Sequence, residues 1–385
     1  MREGWSYKKL GEVCHLTMGQ SPESESYNKE GNGLPFFQGC SDFGTLYPIV
    51  TTYCSSPKKT AEPLDVLISV RAPIGTLNLA NDKCCIGRGL ASIRAIENVS
   101  VYKFLYYFLS NAKTDLQNQG TGATFKSIGK DILTKYPVNL PPLTTQQQIV
   151  SELDLLSHIL DQKRQQLKEY DALAESIFYD MFGDPMENPK GWEMKKLGEL
   201  FKVTSSKRIL QEEWSDFGVP FLKVADLVSI IDGKKLNPST FIPEAIFSKL
   251  IEDGNVPKEG DILVTSRGTI GHCYIVKSQD RFYFQDGMIT WLSNNKGLVI
   301  PIYIVKLFQN KEFLDKLTNS TNKSTVSYLS IGQISKKEIP LPPLTLQHSF
   351  AAKIESIEHQ KQLLRASIKE TEMLFQSRMD YWFNG

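Results

Sequence analysis

Cysteine is scarce and unpatterned: six residues in 385 (Cys14, Cys40, Cys54, Cys84, Cys85 and Cys273), none in a C-x-x-C pair and two of them adjacent. That argues against a disulfide framework and leaves reduced, structural thiols. No stretch approaches the roughly 18 apolar residues a membrane span requires, and the opening MREGWSYKKLGEV has no apolar signal-peptide core, so a cytoplasmic protein with no membrane partner is expected. Catalytic signatures are missing as well. There is no GxxxxGK[ST] phosphate loop, HExxH metal helix, GxSxG elbow or Asn-Pro-Pro-Tyr methyltransferase tetrad, and the five histidines are scattered. No catalytic residue, cofactor or metal is therefore expected. A strong charge of one sign is also lacking, since the net charge is +1, which taken alone speaks against a partner as acidic as nucleic acid.

The distribution of charge tells a different story. Residues 1–140 carry 15 basic and 12 acidic side chains, residues 190–340 carry 21 and 17, and residues 141–189 carry 3 and 9. Small positive excesses thus sit on the two larger segments and the negative charge on the stretch between them, as expected if the larger segments meet an acidic ligand.

What the chain does have is a repeat. From Leu140/Leu341 onward a constant offset of 201 aligns two stretches without a gap, through Pro141/Pro342, Pro142/Pro343, Leu143/Leu344, Thr144/Thr345 and Gln146/Gln347 to Phe182/Phe383. A long ungapped repeat is expected of a helix, which loses its face when one residue is inserted, whereas loops tolerate insertion. Residues 4–13 (GWSYKKLGEV) recur as 191–200 (GWEMKKLGEL), 65–75 (DVLISVRAPIG) as 261–271 (DILVTSRGTIG), and 127–129 (SIG) as 330–332. Between these anchors the offset drifts and the residues diverge. The order is domain, helix, domain, helix: a first domain over 1–140, a long helix over 141–184, a second domain over 185–340 and a second long helix over 341–385.

Short apolar runs at 65–70 and 261–265 predict strands, and 101–109 and 302–308 predict short helices, so each domain is a mixed α+β unit. The long helices start after Pro142 and Pro343, where Thr144 or Thr345 is placed to cap the first turn. Residues 182–189 (FGDPMENP) close the first helix and form a linker. Along the first helix Ile149, Leu153, Leu156, Leu160 and Lys163 follow alternating spacings of four and three, continuing to Met181. Phe350, Ile354, Ile357, Lys361 and Leu364 begin the same pattern in the second, which ends at Trp382. Such a heptad seam fits either a helix lying on its own domain or two helices packed as an antiparallel coiled coil, and its length favours the coil. About 38 residues give a rod of roughly 57 Å. Apolar residues off the seam (Leu155, Ile159, Leu173, Phe178 and Phe182, then Leu363, Met373, Leu374, Met379 and Phe383) exceed what one stripe needs. They imply a further packing surface, against the chain's own domains or another subunit.

Arg71 and Arg267 stand at matching positions in a repeated R-x-x-I-G turn. There an arginine either holds a phosphate or forks onto a guanine, or forms a salt bridge that stabilises the turn. The 120–124 stretch (GTGAT) resembles a phosphate-cradling loop only loosely, and its counterpart at 320–325 lacks the glycines.

Together the G-W-x-x-K-K-L-G-E openings, the L-P-P-L-x-x-Q helix entries, the F-G-D-P-M-x-N-P linker and the doubled organisation resemble the DNA-specificity subunit of type I restriction-modification systems along the whole chain. One departure is that Thr145 and Leu346 stand where the family has glutamate before the glutamine. The resemblance implies two target-recognition domains, each reading one half of a split double-stranded DNA site, held apart by an antiparallel coiled coil. It also implies two methyltransferase subunits docked on the helices and, in the full enzyme, restriction (translocase) subunits. In that setting Arg71, Lys126, Lys207, Arg208, Arg267 and Lys323 are the candidate DNA contacts. Leu155, Ile159, Leu173, Phe178, Phe182, Leu363, Leu374, Met379 and Phe383 are the candidate docking residues. The alternative is a non-catalytic coiled-coil scaffold whose domains bind proteins or glycans.

Overall fold

The computed structural model describes residues 2–122, 126–294, 296–318 and 328–384. Two compact units result, Met1–Gln165 with Arg365–Gly385, and Gln166–Leu364. The first opens with strand Ser6–Lys9, which pairs antiparallel with Pro137–Leu140 and brings the two ends of the domain side by side. Strand Glu193–Lys196 does the same with Glu338–Leu341 in the second unit. The repeated leucine that follows each opening strand, Leu10 or Leu197, is fully buried.

Behind each opening lies a four-stranded antiparallel sheet, ordered Cys14–Met18, Leu90–Ala95, Val66–Ser69, Leu77–Leu79 in the first unit. In the second it runs Lys202–Thr204, Ile289–Ser293, Ile262–Thr265, Cys273–Ile275. The inner strands read as continuous apolar runs because both their faces are covered. Val66 and Ile68 enter the core shared with the helices, while Leu67 faces Phe37 and Ile86 of a second sheet. Ile262 and Val264 likewise face the helices, and Leu263 faces Leu222 and Phe284. Each such buried side chain stabilises the fold by about 1.5–3 kcal/mol.

The second sheets differ. That of the first unit has five short strands and that of the second has three. The second unit adds helices Val224–Ile231 and Glu244–Glu252 in the stretch where the first has the 3-10 turn Cys40–Asp42 and the short strands Tyr53–Cys54 and Thr60–Ala61. Both keep one parallel pairing, Phe36 and Phe37 beside Cys85 and Ile86, and Phe221 and Leu222 beside Tyr283 and Phe284.

The expected short helices are Tyr102–Asn111 and Pro301–Gln309, and the long ones Leu143–Phe182 and Leu344–Asn384. Because the long helices begin at leucine, Thr144 and Thr345 fall inside the first turn, and the expected threonine cap is not what fastens it. Gln146, fully buried, accepts from the Val101 amide at 2.8 Å and donates to the Val99 and Pro141 carbonyls. Gln347 accepts from the Ile300 amide at 2.9 Å and donates to the Pro342 carbonyl. The glutamine of L-P-P-L-x-x-Q thus fixes the start of each long helix to the start of a short one.

The two long helices run antiparallel. In the first unit Glu152 pairs with Arg378, and the Lys163 ammonium donates to Ser367 Oγ at 2.7 Å and Thr371 Oγ1 at 2.8 Å. In the second unit Lys361 pairs with Asp171 at 2.7 Å, and Phe178 meets Phe350 edge-on with centroids 5.8 Å apart. Every seam position is buried or half-buried, so the heptad stripe is the surface the helices share. The same helices also enter the domain cores, through Ile149, Leu153 and Met379 in the first unit and Ala174, Phe178, Phe182, Phe350 and Ile354 in the second. Among the described residues no helix is long and apolar enough to cross a membrane.

Candidate nucleic-acid interface

The R-x-x-I-G turns lie where the buried inner strands leave their sheets. Ser69 closes the first turn: its Oγ donates to the Pro73 carbonyl at 2.6 Å and accepts from the Thr76 amide at 2.9 Å, while the Gly75 amide donates to the Ser69 carbonyl. Thr265 does the same work in the second, bonding Thr269 and His272. Gly75 at φ +80° and Gly271 at φ +82° adopt the left-handed backbone the turn needs. Arg71 and Arg267 take no part in this closure. Both are exposed, and among the described residues neither has a carboxylate within salt-bridge distance. Arg267 instead lies over the Tyr328 ring at 4.5 Å. The salt-bridge reading of this arginine therefore finds no partner among the described residues, because hydroxyl and glycine already hold the turn.

Two segments flank each turn. The Val70 amide donates to Gly89 at 2.9 Å and the Ile128 amide to Val70 at 2.9 Å. Ser266 donates to Met288 at 2.8 Å and Leu329 to Ser266 at 3.0 Å. Arg71 is bridged to Ser127, which places Lys126, also exposed, beside it. On the other flank Gly87-Arg88-Gly89 runs past residues 38–41, so that Arg88 and Arg71 line one groove with Gln38, Gly39, Cys40 and Ser41. A side chain on Gly89 would sit 2.5 Å from the Gln38 carbonyl oxygen, so close backbone approach depends on glycine there.

Counted from the preceding strand, Asp286 falls where the first unit has Arg88, because Phe37 and Ile86 on one side correspond to Leu222 and Phe284 on the other; counted to the following strand, where Leu90 pairs with Ser69 and Ile289 with Thr265, the second loop is one residue longer. Asp286 is held by Arg208, Nε to Oδ2 at 2.8 Å. Lys207 lies 3.7 Å from Asp253, and the Lys223 ammonium sits over the Trp214 ring at 4.9 Å. Of the six candidate contacts, then, Arg71 and Lys126 stand together, Arg267 stands on the matching turn, Lys207 and Arg208 are engaged by carboxylates, and Lys323 lies outside the described residues. Sequence reasoning missed Arg88 and Asp286. The signal was a glycine-flanked arginine directly before a repeat-matched strand, but its counterpart Gln285-Asp286-Gly287 shares too little with it to align without the strand pairing.

The buried cysteines offer no reactivity here. Burial pushes the Cys14, Cys84 and Cys85 thiols up to about 12, far from the thiolate form.

Of the docking candidates, four are corrected. Phe178, Phe182 and Met379 are 4%, 2% and 4% exposed, and Phe383 is half-buried against Phe104 and Phe108. Their apolar area is covered by the chain's own domains, leaving little for another subunit. Leu155, Leu173, Leu363 and Leu374 stay exposed, and Ile159 is half-exposed.

The model of the type I restriction modification DNA specificity domain matches twice, over residues 2–169 and 189–373. The putative type I restriction enzyme MjaX specificity subunit of Methanocaldococcus jannaschii is 40% identical over 177 residues, 46% of this chain and 42% of that protein. The putative specificity subunit S.HindORF215P of Haemophilus influenzae is 27% identical, covering 66% of this chain and 64% of its own length. The chain thus matches less than two thirds of either relative. The MjaIX specificity subunit of M. jannaschii is 24% identical over 94% of this chain and 89% of that protein. Among solved structures, the type I S subunit from M. genitalium is 15% identical with a TM-score of 0.58, covering 97% of this chain and 95% of that one. A chain from a structure concerned with complex assembly and conformational transition of the type I R-M system is 18% identical, with a TM-score of 0.63 and coverage of 100% and 98%. Both structures share the fold.

Proposed function

Since the chain belongs to the family of type I restriction modification DNA specificity domains, we propose that it is a DNA-specificity subunit whose two domains read the two halves of a bipartite, asymmetric target. The observation that carries this reading is the pair of exposed arginines, Arg71 and Arg267, at one place on two copies of a scaffold whose neighbouring rims differ. Lysine and arginine contacts to phosphate position each domain, and rim residues read base edges in the major groove. Different rims call for different half-sites. The candidate DNA contacts are Arg71, Lys126, Lys207, Arg208, Arg267 and Lys323, joined by Arg88 from the geometry above.

The long helices set the spacer. A helix of 40 residues is about 60 Å long, which limits the unread spacer to fewer than about 17 base pairs. Two methyltransferase subunits dock on the helices, at Leu155, Ile159, Leu173, Leu363 and Leu374, whose apolar side chains lie outside both the seam and the cores; restriction subunits join in the full complex. The chain itself carries no catalytic site, and its partners supply the adenine methylation and the cleavage.

Co-expression with the cognate methyltransferase subunit, followed by genome-wide mapping of methylated adenine, is expected to return an asymmetric motif interrupted by an unread spacer. A continuous motif, or none, rejects the proposal. Matched seven-residue deletions in the two long helices keep the heptad face and shorten the spacer, whereas two-residue deletions destroy the face and abolish methylation.

A further inference from the structure

The loops that leave the parallel-paired strands differ in charge between the two domains, with Arg88 in the first and Asp286 in the second, whose loop is one residue longer. In the first unit, Arg71 and Arg88 line a single groove with Gln38 and no carboxylate of the groove faces them. Gln38 is held in place by Ser21, with which its amide exchanges hydrogen bonds at 3.0 Å. The backbone that carries Arg88 is fixed too, since Gly89 accepts from Val70 and the Arg88 amide lies 3.3 Å from Ser21 Oγ. Among the described residues the Arg88 guanidinium has no ion-pair partner. A long cation on a pinned backbone beside a second cation is suited to a ligand group with two acceptors. On a base edge that group is O6 and N7 of guanine, to which arginine forks both its donors. In the second unit the corresponding loop holds a carboxylate, Asp286, tied to Arg208 at 2.8 Å, which would repel those acceptors.

We propose that Arg88, with Arg71 beside it, reads a guanine in the half-site of the first domain, and that Asp286, on the corresponding loop, forbids guanine where that loop meets the other half-site. This inference rests on the DNA-reading function proposed above and names the residues that would make the two half-sites unlike.

The test uses the specificity subunit assembled with its methyltransferase partner, and reads the methylated motif position by position. The wild-type motif decides the underlying reading by itself: no bipartite motif means that the DNA-reading function fails. Given such a motif, Arg88→Ala is expected to relax one guanine in one half-site, with discrimination there falling by about 5- to 150-fold, while the other half-site and spacer are unchanged. Arg88→Lys separates base reading from charge. A lysine keeps the cation but loses the fork, so R88K should relax the same base if Arg88 reads guanine. Retained selectivity in R88K, an unchanged motif in R88A, or uniform weakening at all positions with a shallower salt dependence would each overturn the assignment, the last pointing to a phosphate contact. The mirror variant Asp286→Ala is expected to admit guanine at the position of the second half-site that this loop meets, and continued exclusion would overturn that part.

Discussion

Asp65 and Asp261 occupy one position on the two halves of this chain, and Arg88 and Asp286 stand on corresponding loops of the two rims. The first pair is the same residue and the second is opposite in charge. Both aspartates are buried, at 1% and 4% exposure, and each satisfies a set of donors. Asp65 accepts from Arg94, Ser92 and the Glu62 amide, and Asp261 from the Trp291 indole and the amides of Asn294 and Lys258. A charge in such a place must keep its partners, because an unpaired buried group costs several times what a solvated one does. Arg88 projects from the rim into solvent, where changing the sign of a side chain costs the fold almost nothing. The contrast fits the two readings proposed above: what holds the sheets is locked, and what would face a ligand is not.

The contrast breaks most readily at the helix ends. Phe182 and Phe383 match across the repeat, yet Phe182 is packed among Phe178, Tyr303 and Phe350, whereas Phe383 is half-buried. Phe182→Ala is expected to cost about 3–5 kcal/mol and Phe383→Ala about 1–2 kcal/mol, measured by denaturant unfolding. Equal losses would mean that the repeat, rather than the local packing, sets the energetics. Next come the aspartates themselves. Asp65→Asn and Asp261→Asn each turn an acceptor into a group that meets donors with donors, and each should cost about 1.5–3 kcal/mol. An unchanged midpoint in either variant would remove the distinction between locked and free positions.

These magnitudes also show what was legible in the sequence. The repeat offset of 201 placed both long helices, because a helix tolerates no insertion, and the spacing of Ile149, Leu153 and Leu160 marked the face that the structure buries. The inner strands were legible as apolar runs. The fate of Phe178 and Phe182 was not, because periodicity tells that a side chain is off the seam but not whether a distant part of the chain covers it. In this case the cover is Tyr303, more than a hundred residues on. The role of Gln146 was also hidden: its partners Val99 and Val101 are brought to it only by the packing of the short helix. At the candidate interface the matched arginines were visible, while Arg88 needed the strand pairing that sets its loop against that of Asp286.

A smaller effect is expected at the ion pairs that link the helices in the first unit. Glu152 accepts from the Arg378 guanidinium and from the Trp382 indole at 2.9 Å, and the hydrogen bond from Arg378 holds its carboxyl below the usual carboxylate range. A lowered folded-state pKa contributes stability that is present above the unfolded pKa and lost as the pH falls through the folded one. Glu152→Gln should therefore cost about 1 kcal/mol at pH 7, and the gap between variant and wild type should shrink as the pH falls below the unfolded carboxylate range and close once Glu152 is protonated in the folded state. A gap that does not narrow as the pH falls would assign the loss to packing rather than to charge.

The smallest effect belongs to Arg88. Its side chain is exposed and pairs with no carboxylate among the described residues, so Arg88→Ala should change the unfolding free energy by less than about 0.5 kcal/mol. That small number gives the change in motif its meaning. If R88A melts with the wild type while its half-site loses a guanine, the arginine serves recognition alone, in contrast to Asp65, whose substitution should lower the stability of the domain. If R88A instead destabilises the subunit by 2 kcal/mol or more, Arg88 belongs with the locked residues, and the division between a fixed scaffold and a variable rim has been drawn in the wrong place.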